Sequence, residues 1–255
     1  MNQEICEGKL IKNKRYVLNG CIYKGNFVDH NGFAIVQGDI ILGKTEDVLK
    51  FSKFLKAYKD LGTQQQNACL IKNKLWDTKE IPYCIEVGHS KTADIHTAIT
   101  IFNSAKLNVS FREKKSEDKD YVEFVKGDGC SSYIGKIGGK QAITLSDKAI
   151  VGNILHEMLH TCSIEHEHCR SDRDAYIKIN CANIKPGHEH NFEMSSGETY
   201  GKYDFESIMH YRATSFAKKG TKTIEPLPKY APQPNMGQRD AMTATDIDGV
   251  RELYK

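Results

Sequence analysis

Apolar positions in the first 45 residues come in short runs broken by Asn19-Gly20 and Asn31-Gly32, the pattern of strands joined by tight turns. At Thr45 the period changes. Val48, Phe51, Leu55 and Tyr58 recur every three or four residues, which predicts an amphipathic helix over TEDVLKFSKFLKAYKDL. Thr45 is its expected cap, and Glu46 and Asp47 suit its first turn. Lys50, Lys53 and Lys59 occupy its polar side, and packing against its own protein is preferred to a membrane surface. Residues 62–68, GTQQQNA, show no periodicity and read as a linker.

From Ile81 the short apolar runs return as IPYCIEV, VSFREK, YVEFVKG, SYIGK and AITLS, each the length of a strand. Between the first two, Ile95, Ile99 and Phe102 share one helical face. Near the end, Thr243 and Asp246 have capping-box spacing, and Ile247, Val250, Leu253 and Tyr254 form the expected buried face of a last helix.

Charge and cysteine content narrow the picture. The net charge of +3 is carried by residues 1–67, so the main body is neutral and lacks the basic face that nucleic-acid binding requires. No apolar run approaches the roughly 20 residues of a membrane span. The start has no apolar signal-peptide core. Eight cysteines occur without any CxxC pair, which leaves the redox compartment open.

The decisive stretch is VGNILHEMLHTCSIEHEHCRSDRD, residues 151–174. As a helix it gathers Val151, Ile154, Leu155, Met158, Leu159 and Cys162 into one apolar stripe. His156 and His160 then lie one turn apart on another side, placed to share a metal ion, with Glu157 beside them and free to act as a base. A third ligand on the next helical turn would lie too far along the axis. If the helix ends near Ser163, the chain turns back and His166 completes the set. Three histidines and one open position is catalytic stoichiometry for Zn2+, one per chain. His168, His188 and His190 read as surface residues, and His210 is ambiguous.

With these residues in place, the sequence resembles the astacin family of metzincin zinc endopeptidases. HEMLHTCSIEH followed by EHCRSDRD resembles the family's zinc motif, and YDFESIMHY (Tyr203–Tyr211) resembles its Met-turn. LWDTKEIPY, GKIGGKQAITLS and NMGQRDAMTATDIDGVRELY follow in family order, so the resemblance runs from about residue 68 to the end. It implies an α+β fold with two subdomains around a zinc cleft. The upper would carry a five-stranded, mainly antiparallel sheet and helices; the lower would be irregular and close with the C-terminal helix. It further implies Met209 as an apolar floor under the metal, and Tyr211 as a ligand that can swing away and donate to the oxyanion. An extended peptide or protein substrate would pair with an edge strand at Gln141–Ser146, through Gln141, Ala142, Ile143 and Thr144. Glu157 would take a proton from zinc-activated water and hand it to the leaving amine. Two rival readings are a cleft that binds without cutting, and a zinc enzyme acting on a non-peptide bond.

The departures from the family carry expectations of their own. Ser163 stands where the family has Gly, which costs roughly 1–2 kcal/mol if the position is left-handed. Of the family's four paired cysteines, Cys130 alone has a counterpart, so the thiols are expected to be free and folding to occur in a reducing compartment. Export without a cleavable signal peptide fits this; secretion with the signal absent from this sequence, or a cytoplasmic location, are alternatives. Residues 1–67 read as an inhibitory pro-region and 68–255 as the peptidase domain. Within the former, VQGDI resembles the family's FxGD segment, so that Asp39 fills the open zinc position until an activating protease trims the chain near Asn67. A thiolate latch from Cys6 or Cys21 is the alternative. The new N-terminus would dock near Glu167.

Overall fold

A computed structural model describes residues 6–18, 21–60, 75–195, 197–230 and 235–255. The N-terminal part is a four-stranded meander, β1 (Lys9–Leu18), β2 (Cys21–His30), β3 (Phe33–Val36) and β4 (Ile40–Lys44), followed by helix α1 (Thr45–Asp60). Asn31 and Gly32 both have positive φ, 50° and 85°, as a two-residue turn between right-twisted strands requires. The expected turn at Asn19-Gly20, the linker at 62–68 and the side chains of Leu55 and Tyr58 lie outside the described residues. Thr45 is the first residue of the helix. Its hydroxyl donates to Asp29 at 2.9 Å, which ties α1 to the turn after β2.

The following part contributes β5 (Glu80–Ile85), α2 (Thr92–Ser104), β6 (Ser110–Glu113), β7 (Tyr121–Lys126), β8 (Ser131–Ser132), β9 (Lys140–Leu145) and α3 (Val151–Thr161). Four of the five strands expected here are present, the fifth, SYIGK, is replaced by the two-residue strand Ser131–Ser132, and the pairing is mostly parallel. β5 pairs in parallel with β6 and with β7, and β7 with β9; only β8 against β9 is antiparallel. The reason is in the connections: α2 carries the chain back to the starting end of the sheet, and a crossover of that length returns a strand in the same direction. A second correction concerns the edge. β9 lies between β7 and β8, so Gln141–Thr144 sit in an interior strand, and β8 takes the edge of this five-stranded part.

One core joins this sheet to both helices. Ile81, Val122, Phe124, Ile143 and Leu145 pack with Ile95, Ile99 and Phe102 of α2 and with Ile154, Leu155, Met158 and Leu159 of α3. Each such side chain contributes roughly 1.5–3 kcal/mol of burial. The apolar stripe of α3 thereby faces the sheet and turns its histidines away from it. Gly152 permits a close approach on another side, since a Cβ there would lie 1.8 Å from the Arg239 carbonyl oxygen.

Below α3 the chain is irregular, with a two-stranded pair, β10 (Ile177–Ile179) and β11 (Ile224–Pro226), and the final helix α4 (Ala244–Leu253). The predicted capping box is present: Asp246 N–H donates to Thr243 Oγ1 at 3.1 Å, and Thr243 N–H to Asp246 Oδ2 at 2.8 Å. Val250 and Tyr254 are buried as expected, whereas Leu253 is exposed. No helix among the described residues is long and apolar enough to cross a membrane.

The meander is joined edge to edge with the second part, which makes a nine-stranded sheet in the order β1-β2-β3-β4-β8-β9-β7-β5-β6. The seam is one parallel pairing, Ile40 with Ser132, supported by Ser132 N–H donating to the Asp39 carbonyl at 3.0 Å.

Candidate metal centre

Helix α3 ends in a turn that builds half of the site. Ser163 N–H donates to the His160 carbonyl at 2.8 Å and Ile164 N–H to that of Leu159 at 3.1 Å. This is a Schellman turn, with Ser163 left-handed at φ 71° in the place usually held by Gly. Trp76 Nε1 donates to the Thr161 carbonyl at 3.0 Å and satisfies another exposed helix end. The reversal brings His166 back to face His156 and His160, with ring centroids 4.7–5.3 Å apart. All three imidazoles are buried, as is Glu157.

The outer nitrogens set the tautomers. His156 Nδ1 lies 2.9 Å from the Ile208 carbonyl, His160 Nδ1 2.8 Å from that of Ile164, and His166 Nδ1 3.0 Å from Gln37 Oε1. Each acceptor requires an N–H on Nδ1, so each Nε2 presents a lone pair inward. Burial pushes the three pKa values well below the ordinary histidine value, His160 to about 3, which keeps the rings neutral as metal ligands must be.

Asp39 reaches the same point. Its carboxylate oxygens lie 3.4 Å from His156 Nε2, 3.8 Å from His160 Nε2 and 3.2 Å from His166 Nε2, and the four donor atoms fall within 4.8 Å of one another. Three buried lone pairs facing a carboxylate repel unless a cation sits among them, so the donor set fits a metal. Imidazole and carboxylate donors suit Zn2+. Cys6 takes no part: its thiol approaches the Cys130 carbonyl at 3.7 Å, and the side chain of Cys21 is outside the described residues.

Residues 69–255 match the model of the astacin family of peptidases. The chain belongs to the astacin family. It is 37% identical over 196 residues to the zinc metalloproteinase nas-13 of Caenorhabditis elegans, an alignment covering 74% of this chain and 43% of that one. It is 32% identical over 226 residues to the low choriolytic enzyme of Oryzias latipes, covering 87% of this chain and 78% of the other. In structure it is similar to high choriolytic enzyme 1, a hatching enzyme zinc-protease of the same fish, with a TM-score of 0.64 at 33% identity over 71% of this chain and 92% of that one. The chain spans about half the length of several nematode relatives, 43%, 39% and 56% for nas-13, nas-14 and nas-6.

Other astacin positions fall around this centre. Tyr211 donates its hydroxyl to the backbone carbonyl of Gln37, and its ring stacks on His168 at 3.8 Å. Met209 is buried in the main core; its N–H donates to Ser207 Oγ at 3.0 Å and its carbonyl accepts from Glu167 N–H at 3.1 Å. The Asp246 carboxylate accepts from Ser207 Oγ and Ile208 N–H, so the α4 cap also holds the Met-turn. Glu167 accepts from Asp204 N–H at 2.8 Å, and burial pushes its pKa up to about 7. A cavity of about 420 Å3 beside it is lined by Leu75, Glu165, His166, Met209 and Asp246, among others.

Three readings are corrected. Gln141 is structural: its amide donates to the Gly135 carbonyl at 2.9 Å and accepts from Ile137 N–H at 3.1 Å, so it ties together the turn before β9. Ile143 and Thr144 are paired on both sides, with β7 and with β8, and Ala142 is paired with β7, so the expected edge at these residues is largely covered. His168 and His190 are buried, not surface residues, because the lower subdomain closes around them; His210, also buried, lies 2.8 Å from the Tyr203 hydroxyl. Gln37 went unnoticed in the sequence, where its position between Val36 and Gly38-Asp39 was its one signal.

Proposed function

We propose that this chain is a latent zinc endopeptidase acting on extended protein or peptide substrates, with residues 1–67 as its inhibitory segment. The observation that carries this reading is the convergence of Asp39 with the Nε2 atoms of His156, His160 and His166. The three histidines hold the zinc, and Asp39 occupies the position that substrate chemistry needs. When bound, the ion supplies Lewis-acid polarisation of a carbonyl and acidifies a water. Glu157, buried on the same helix, takes the proton and returns it to the departing amine. Tyr211, whose hydroxyl now goes to the Gln37 carbonyl, is freed by removal of the segment to donate to the oxyanion. Met209 closes the site from below.

Release of β4 also uncovers β8, whose edge then accepts a peptide strand. Occupation of that edge supports the inhibitory reading, as does the low choriolytic enzyme, whose 87% match exceeds what residues 69–255 alone supply. After trimming near Asn67 by an activating protease, the new N-terminus reaches Glu167 through the cavity that Leu75 lines. Of the eight cysteines, the six whose placement is described are free thiols, which supports folding in a reducing compartment before export. Thiol counting in denaturant without reductant is expected to approach eight; a count near zero overturns that part.

The test of the function uses the full chain and the chain trimmed near residue 67. Both are expected to contain one zinc, and the trimmed form alone to cut a peptide library, with cutting abolished by a chelator. A fully active untrimmed chain removes the latch. A zinc-loaded trimmed chain that cuts nothing favours the binding-module reading.

A further inference from the structure

Two of the three histidines have their outer nitrogens held by backbone of the catalytic part, at Ile208 and Ile164. The third does not. His166 Nδ1 is held by a side chain from the N-terminal segment, Gln37 Oε1 at 3.0 Å. Gln37 is 4% exposed and adopts φ 49°, a left-handed conformation that strains a non-glycine residue. Gly38 follows at φ 82°. Two successive left-handed residues reverse the chain, so that the Gln37 amide reaches one side of the His166 ring while the Asp39 carboxylate reaches the other. A strained backbone at a site that meets two functional groups is a reason to ask what the strain secures.

We infer that Gln37 is a positioning residue for the metal centre: its amide oxygen holds His166 in the tautomer and orientation that present Nε2 to zinc. The inference rests on the zinc reading above. The N-terminal segment therefore does two separable things. Asp39 blocks the open position, and Gln37 completes the hydrogen-bond frame that His156 and His160 receive from their own domain. Removing the segment leaves His166 as the one ligand whose outer partner must be replaced by solvent. Outer partners of this kind are worth on the order of 10- to 100-fold in metal affinity.

The experiment uses the full chain with Gln37→Met, which keeps the length and apolar bulk of the side chain but removes the acceptor, and Gln37→Glu, which restores one. Zinc affinity is measured by competition with a chromogenic chelator, and exchange of the His166 Nδ1 proton is followed by NMR on histidine-labelled, zinc-loaded protein. Gln37→Met is expected to weaken zinc binding about 10- to 100-fold and to expose that proton to exchange, while Gln37→Glu keeps both near wild type. If Gln37→Met leaves affinity and protection unchanged, the inference fails. If Gln37→Glu loses as much as Gln37→Met, the effect is one of packing and the inference fails likewise. A wild-type chain that binds no zinc sinks the metal reading itself, a result distinct from both.

Discussion

The N-terminal meander and the catalytic part share one sheet but are joined very unequally. Within the catalytic part β7 and β9 pair along six positions, whereas β4 meets β8 at one. The apolar packing differs in the same way. Among the described residues the main core contains none of the meander, which gathers its own cluster around Tyr16, Phe27, Val36 and Ile40 and borrows Ile134 at the seam. What crosses the seam is a small apolar contact, Ile35 and Ile41 against Tyr133, and a set of directed polar ones: Asp39 to the histidines, Gln37 to His166, and Tyr211 to the Gln37 backbone. On the proposed latent reading, a segment removed without unfolding what remains is better held by a few directed contacts than by a shared core. Hydrogen bonds and ion pairs can be re-formed by water, and a core cannot.

That contrast can be broken or sharpened by experiment. The largest effect is expected inside the catalytic part. Glu157→Ala in the trimmed chain should lower peptide hydrolysis by about 10²- to 10⁴-fold with zinc content unchanged. Near wild-type cutting by this variant would remove Glu157 from the acid–base role.

Next comes acid. Burial lowers the His190 pKa to about 4 from its ordinary value of 6.5. The unfolded chain therefore takes up a proton from about pH 6.5 downward, and the folded protein does so only near pH 4. Stability is at its full value above pH 6.5 and falls as pH drops through that window, by as much as about 3 kcal/mol. Urea melts of the full chain at pH 7 and pH 4.5 measure this. Persistence of the full drop in His190→Phe would assign it elsewhere.

A smaller effect belongs to the seam. Asp39→Ala in the untrimmed chain is expected to raise activity by about tenfold or more, equivalent to about 1.4 kcal/mol of lost latching, and to leave the melting temperature of the catalytic part unchanged. No change in activity would show that the seam does not need the carboxylate. The smallest is Ser163→Gly. Its φ of 71° predicts stabilisation of about 1 kcal/mol, or a rise of about 2–4 °C in melting temperature. A fall would mean that the Ser163 hydroxyl makes a contact worth more than the backbone strain.

Much of the site could be read directly from the chain because its geometry is local. His156 and His160 are four residues apart on a helix, and the left-handed turn at Ser163 is governed by its immediate neighbours. The Thr243–Asp246 box also needs three residues and no more. The sheet was less legible. Strand-length runs are visible in the sequence, but their direction and order are not: the expected substrate edge, Gln141–Ser146, falls on an interior strand with β8 beside Ile143 and Thr144. The burial of His168 and His190 was hidden for a similar reason, since it depends on segments distant along the chain.

Sequence by itself therefore determined the placement of His156, Glu157 and His160 on one helix and the turn that brings His166 back, since the 3.6-residue helical period and backbone sterics act over a few residues. Tertiary structure alone decided that β9 is interior, that the meander occupies the edge at β8, and that Gln37 holds the third histidine across 129 residues of chain. Such pairings close long loops whose entropy cost barely depends on which residues meet. Their outcome rests on the packing of the whole molecule, which no local pattern records.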